Sequence, residues 1–306
     1  MIFCHVDLDN LWNYENEYGI RPSGDYDLIY SQALPLMIEI FDRHRIKATF
    51  FVTGHDLEKY QSCQKFCRSA VQSGHEVANH SFSHRGDFFS LSLEEKEMEI
   101  LKTHQLIEQH TGIAPVGFRA PGYYLDEALV RILRKHGYLY ESSVLPSSVN
   151  FLMKIFIKWK SKNSLNKVFG RKRFLITSQR LQKIIGGGFS GKDLIEFPIT
   201  TLPVLRFPIH TSFVYLLGDF YRRLVVGFLK RKKSPGIYLF HAIDSLPMPA
   251  DPDWKKVVVF KWSLERRASL IQEISSLESA VKNLSTRDWL SALEPGKIPA
   301  SRVLRF

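Results

Sequence analysis

A mainly parallel α/β architecture, its sheet open or closed into a barrel, is the fold class this chain predicts, and two observations predict it. Short β-rich runs alternate with segments whose apolar residues recur at helical spacing, in the order β-α-β-α from the first residue onward. Polar residues then collect at the C-terminal ends of successive β-rich runs, which is where folds of this kind place their sites.

Taken in order, residues 2–9 read as a strand, 28–44 as a helix, and 48–53 (ATFFVT) as a buried strand. A helix near 59–73, a strand at 75–79 and a helix near 93–109 follow. The last is opened by SLSLEE, with an N-capping serine and an acidic first turn. PVGFRAP predicts a strand ending in a turn, LDEALVRILRKHG a helix stopped by Gly137, and YLYESSV another strand. LIEFPI and GIYLFHAI complete the strands, and residues 260–284 read as a late helix. The sequence holds no repeat of fixed period, and the three glycines at 186–188 read as a flexible joint.

Composition narrows the class. With 306 residues, 44% hydrophobic and 24% charged, the chain has the makeup of a globular domain and not of a disordered one. Three cysteines cannot build a disulfide framework, and Cys63 and Cys67, four apart, read as small buried hydrophobes. No run approaches the ~18 apolar residues of a membrane span, and the N-terminus lacks the pattern of an export signal. The expected location is therefore the cytoplasm.

The net charge of +11 is concentrated. Residues 151–174 hold eight Lys or Arg and no acid, interleaved with Phe, Ile, Leu and Trp; residues 213–233 hold six basic residues and Asp219. The remainder is slightly acidic. If 151–162 is helical, Lys154 and Lys158 share one side, opposite a face containing Trp159, the pattern of a helix lying in a membrane interface. Arg222 and Lys230 repeat it in the second segment. Packing of both apolar faces onto the domain, with snorkelling lysine stems, is the competing reading. Nucleic acid is disfavoured because no recognised binding module accompanies the charge.

The residues able to carry chemistry stand at strand ends. Asp7 and Asp9, two apart, face the same way, and two carboxylates drawn into one place repel unless a metal or a proton separates them. NHSFSH supplies His80 and His84, whose spacing lets both imidazoles meet one ion if the segment forms a helical turn. Arg119 precedes a turn imposed by Pro121 and Gly122, and LFHAID places His241 at the same rim. Each is weak alone; their joint placement on successive strand ends is the signal.

The ordered set VDLD, GHEVANHSFSH, GFRAPGYY and YLFHAID resembles the polysaccharide deacetylase family, carbohydrate esterase family 4, over residues 1–145 and again over 194–245. The resemblance implies a distorted (β/α) barrel, a single catalytic domain over 1–306 with a basic-apolar insertion near 150–190, and hydrolysis of N- or O-acyl groups on sugars with one divalent metal. It implies Asp9, His80 and His84 as ligands, Asp7 as general base held ionised by Arg119, and His241 as general acid. A backbone N–H around Gly122 or Tyr123 would stabilise the oxyanion. Zinc is the first choice of metal, though two His and one carboxylate also suit Fe(II). Three departures stand out: Leu8 separates the two Asp, Gly122 intervenes before Tyr123, and Glu141 stands where an Asp often precedes two serines, as a candidate support for His241.

The expected reaction is removal of an acetyl or formyl group from an N-acylated sugar. By the same resemblance that sugar could be carried on a polyprenyl phosphate at the cytoplasmic membrane face, with the enzyme peripheral there. Hydrolysis of a small cyclic amide, as in allantoinase-type relatives, and non-catalytic sugar binding are the alternatives.

Overall fold

The first strand, β1 (Ile2–Asp7), is buried along its whole length, yet His5 and Asp7 interrupt its apolar run. Charged and polar groups in so central a strand require partners, and those partners define the site. The computed structural model describes residues 1–147, 177–185, 193–293 and 303–305.

Parallel strands β2 (Thr49–Val52), β3 (Glu76–Asn79), β4 (Gly117–Phe118) and β5 (Tyr140–Glu141) follow β1 across the sheet. They are joined by α1 (Leu11–Tyr18), α2 (Leu34–Arg43), α3 (Gly54–Lys59), α4 (Gln61–Gln72), α5 (Leu93–Thr111) and α6 (Glu127–Lys135). Beyond β5 lie β6 (Gln182–Ile185) and β7 (Leu194–Glu196), and the chain continues through α7 (Thr211–Arg231) to β8 (Gly236–His241). Two helices, α8 (Leu264–Ser276) and α9 (Thr286–Ser291), and β9 (Val303–Arg305) complete the described chain.

The sheet order is β8-β1-β2-β3-β4-β5-β7-β6-β9, parallel throughout except for the antiparallel β6–β7 pair. This is the expected α/β class with a parallel-dominated sheet. Among the described residues no ladder joins the two edges. Instead the stretch after β7 reaches β8 through a parallel bridge between His210 and Leu239 and a hydrogen bond from Ile237 N–H to Thr200 Oγ1 at 2.7 Å. We call this junction the seam.

Local chemistry explains the helix starts. Ser92 caps α5, as SLSLEE predicts, and Glu95 completes a capping box with it; Asn10 with Asn13 does the same for α1. Such a cap contributes about 1 kcal/mol. Elsewhere the elements are shorter than periodicity predicts. Residues 28–44 begin with a π-helical turn, Ile29–Ala33, and the helix near 59–73 is α4, separated at Tyr60 from the short helix α3 before it. The late helix ends at Ser276, because the following residues pair with β1 through an Ile2–Ala280 bridge. Strands β6 and β9 were not evident in the sequence, and β6 makes the end of the expected insertion part of the sheet. The three cysteines are free, buried thiols.

Of the two basic-apolar segments, 151–174 lies outside the described residues, and with it Lys154, Lys158 and Trp159; so does the glycine run at 186–188. The second segment is α7, broken at Gly218 (φ 77°, ψ −164°). It divides its apolar residues between two destinations. Val214, Tyr215, Tyr221, Val225 and Leu229 are buried, whereas Leu216, Leu217, Phe220 and Leu224 are exposed. Arg222 departs from the expected lipid-facing role, being held by Asp219 at 3.1 Å and Glu273 at 2.5 Å. Lys230 is exposed.

Candidate active site

The C-terminal ends of the parallel strands deliver the predicted residues to one rim. Asp7 ends β1 and His241 ends β8, directly opposite one another in register, so both side chains point to the same face. His80 follows β3 and Arg119 follows β4. Together with Asp9, His84, Gly122 and Tyr123, all but Arg119 line a cavity of about 870 Å³.

Arg119 is completely buried beneath that cavity. Its Nη1 donates to Asp7 Oδ1 at 2.5 Å, Nη2 meets His5 Nδ1 at 2.8 Å and donates to Ser142 Oγ at 2.9 Å, and Nε donates to the Ser142 carbonyl at 2.9 Å. The guanidinium lies 4.0 Å from the centroid of the Phe51 ring. A buried cation with these contacts fixes Asp7 Oδ1 and leaves Oδ2 toward the cavity.

Asp9, His80 and His84 present one ligand atom each, all within 4.8 Å of one another. His80 Nε2 and His84 Nε2 lie 3.6 and 3.1 Å from Asp9 Oδ1. Those values bracket the roughly 3.4 Å between two ligands of a tetrahedral ion with bonds of about 2.1 Å. The buried Asp9 Oδ1 accepts no hydrogen bond, and His80 Nδ1 lies 2.7 Å from the Arg119 carbonyl, which leaves Nε2 as the lone-pair donor. An orphaned carboxylate oxygen facing two imidazoles fits a divalent cation. Burial opposes the charge of Asp9, but His84 and His80 overcome it and hold the carboxyl well below its usual range; His84 is raised in turn, Asp9 outweighing burial.

The His80–His84 segment is not the helical turn its spacing allowed. It is a loop in which Ser81 (φ 64°) and His84 (φ 48°) are left-handed. Glu99 of α5 holds it, accepting from the N–H groups of Phe82 and Ser83 at 2.9 and 2.8 Å and from Ser83 Oγ at 2.6 Å. The N–H groups of Gly54 and His55 bind the Ser81 and Phe82 carbonyls from α3. A Cβ on Gly54 would fall 2.5 Å from the Phe82 ring, so glycine is required there.

Asp56 anchors the loop after Asp9. Fully buried, it accepts from Asn10 Nδ2 at 2.7 Å, Trp12 Nε1 at 2.9 Å and Tyr30 OH at 2.6 Å. Gly122 and Tyr123 both take left-handed backbone, and Tyr123 N–H makes only a long 3.3 Å bond to the Ala120 carbonyl.

Glu141 is not brought to His241. It lies beside Glu196 in a buried carboxyl pair: burial raises Glu141, while burial and the neighbouring charge push Glu196 well above the usual range. Asp244 meets His241 through the main chain instead, its Oδ2 accepting from the His241 backbone N–H at 2.9 Å; burial raises its pKa although His241 and Arg267 pull the other way. His210 lies 6.2 Å from His241 between ring centroids, and burial, then His241, lower its pKa to about 3. Neither Asp244 nor His210 was singled out in the sequence, although Asp244 three residues after His241 is a short-range capping signal.

The family profile described as polysaccharide deacetylase matches residues 25–140. A peptidoglycan deacetylase of Helicobacter pylori is 30% identical over 144 residues, covering 46% of this chain and 48% of that protein. The peptidoglycan deacetylase-like protein FGM2 of Gibberella zeae is 36% identical over 150 residues, 47% of this chain and 43% of that one. The chain thus spans about half the length of these curated relatives. A Mycobacterium smegmatis structure, named provisionally as a polysaccharide deacetylase, shares the fold over 99% of this chain and 91% of its own, with a TM-score of 0.59 and 14% identity. The profile match covers the strands that precede His80, His84 and Arg119, and over that part of its length the chain is similar to the polysaccharide deacetylase family.

Proposed function

We propose that the chain is a metal-dependent hydrolase that removes an N-acyl group, acetyl or formyl, from a sugar. The observation that carries this reading is the convergence of the Asp9–His80–His84 set on the cavity that also holds Asp7 and His241. Asp9, His80 and His84 would hold a divalent cation, which would supply Lewis acidity to the acyl carbonyl and to a water when bound. Three ligands leave coordination positions open, and zinc is the metal best matched to this N,N,O set.

The remaining chemistry belongs to the chain's own groups. Asp7 Oδ2 takes the proton of the attacking water, while the Arg119 guanidinium holds Asp7 Oδ1 and so aligns the carboxylate. The backbone N–H of the Gly122–Tyr123 turn donates to the developing oxyanion. His241 delivers a proton to the departing amine nitrogen as the C–N bond breaks, giving a free carboxylic acid and an amino sugar.

An apolar part of the cavity wall, formed by Leu145, Phe213, Leu216 and Val258, favours a sugar carried on a hydrophobic group such as polyprenyl phosphate. The test is a turnover screen with zinc-loaded protein, scoring acetate or formate released from N-acylated nucleotide sugars and from polyprenyl-phosphate sugars. Release from the lipid-linked compounds supports the full reading. Release only from nucleotide sugars overturns the lipid carrier, and release from neither overturns the deacylase assignment.

A further inference from the structure

We propose that the outward face of α7 is a docking surface for an anionic lipid bilayer. The helix is firmly seated: Tyr221 OH donates to the Pro208 carbonyl at 2.7 Å, and the Tyr215 ring packs 5.4 Å from Trp262. Its outward side chains are therefore not needed to hold it. Yet Leu216, Leu217, Phe220 and Leu224 are 50, 43, 70 and 47% exposed. Val204 and Leu205, 87 and 64% exposed, sit in the turn whose Phe207 packs on Tyr221 of the same helix. Apolar exposure of this amount on one helix and the segment that packs on it marks an interaction surface.

Charge identifies the occupant. After the Gly218 break, Phe220, Leu224 and Arg231 follow one another at spacings of four and seven, so they share a face, and Arg223 and Lys230 flank it. Arg223, Lys230, Arg231 and Lys233 are exposed and enter no ion pair among the described residues. Asp219 is engaged by Arg222 at 3.1 Å and Arg266 at 2.5 Å, so its charge is neutralised where it would repel phosphate. An apolar strip bordered by unpaired cations matches the boundary between acyl chains and anionic headgroups.

The same charges argue against other occupants. A second copy docking face to face would bring like cations together. Residues 151–174 of this chain, with eight cations and no acid, would meet the same repulsion. Leu216 belongs both to the strip and to the wall of the active-site cavity, so docking turns the cavity mouth toward the bilayer.

The inference does not depend on the proposed reaction, and its test uses no turnover. The full chain is co-sedimented with vesicles of phosphatidylcholine alone or mixed with phosphatidylglycerol. Binding is expected only to the mixed vesicles. It should weaken at least about tenfold in high salt, in Phe220→Ser/Leu224→Ser and in Arg223→Glu/Lys230→Glu. A Phe220→Trp variant, which keeps the apolar contact, should show a blue-shifted emission when mixed vesicles are added. Absence of binding to the parent chain, unchanged binding in both double variants, or a dimer that Phe220→Ser dissolves without any vesicle binding would each overturn the proposal.

Discussion

Arg119 and Asp7 form a salt bridge of 2.5 Å in which the guanidinium has no exposure to solvent. The same guanidinium also contacts His5 and both the backbone and the hydroxyl of Ser142, so Asp7 is held from beneath by a cation that is itself immobile. Arg119→Met leaves a carboxylate in low dielectric without its partner, an uncompensated charge worth about 3–5 kcal/mol of stability. Turnover should fall by about a hundredfold or more. Asp7→Asn in the same background should recover part of the stability and none of the activity. Equal losses in the single and double variants, measured by urea unfolding, would contradict this account.

The ligand set makes a prediction about composition. Metal analysis of the purified chain should give about one divalent ion per molecule, and His80→Ala or His84→Ala should each remove most of it. Because the ion binds the folded chain and not the unfolded one, chelation should lower the thermal midpoint. Zinc at about a hundredfold excess over its dissociation constant would restore ~2.7 kcal/mol. Full metal occupancy in the His80→Ala/His84→Ala double variant would exclude the assigned site.

The buried carboxyl pair predicts a pH dependence of stability. Burial raises both Glu141 and Glu196, and mutual repulsion raises Glu196 further. Folding therefore takes up protons above the ordinary carboxyl value of about 4.3. The stabilising contribution is complete below that value and is lost as pH rises through the raised folded value. Glu196→Gln removes one charge while keeping the side chain's shape. Its stability should exceed that of the parent at neutral pH and decline less between acid and neutral conditions. Denaturation midpoints across a pH series test this, and parallel curves would refute it.

Arg267 separates the two walls of the cavity experimentally. Buried behind the turn after β8, it donates to the carbonyls of Trp262, Ile243, Asp244 and Leu246 at 2.8–3.2 Å. Arg267→Met strands those acceptors at about 1–3 kcal/mol each and loosens the turn that positions His241. Metal content should stay at the parent level, because Asp9, His80 and His84 hang from other strands, while kcat falls. Loss of metal together with kcat would show that the walls are not independent.

The α/β class, the polar strand ends and the two-residue spacing of Asp7 and Asp9 were legible because each rests on local periodicity. So was the start of α5, since a capping box is written within four residues. The His80–His84 loop was not, because its shape is imposed by Glu99 from another helix and by left-handed backbone at Ser81 and His84. Glu141 was misread for a similar reason. Its place beside Glu196 is fixed by the pairing of β5 with β7, which no local pattern encodes. In α7 the basic-apolar character was plain, but the division of its apolar residues between core and surface depends on the Gly218 break and on what packs against Tyr215 and Tyr221.

The seam gives the cavity two walls of unequal stiffness. On one side Asp7 ends a strand paired along both edges, His80 directly follows another, and Glu99 ties down the loop to His84, so ångström-scale adjustment there must strain the sheet or break that anchor. On the other, residues 200–210, which lead into the seated helix α7, reach β8 among the described residues through one bridge and one side-chain hydrogen bond. In the proposed reaction, bulk on the substrate is therefore expected to be accommodated by residues 200–210, with the bond to be cleaved held in the stiffer frame of β1 and β3.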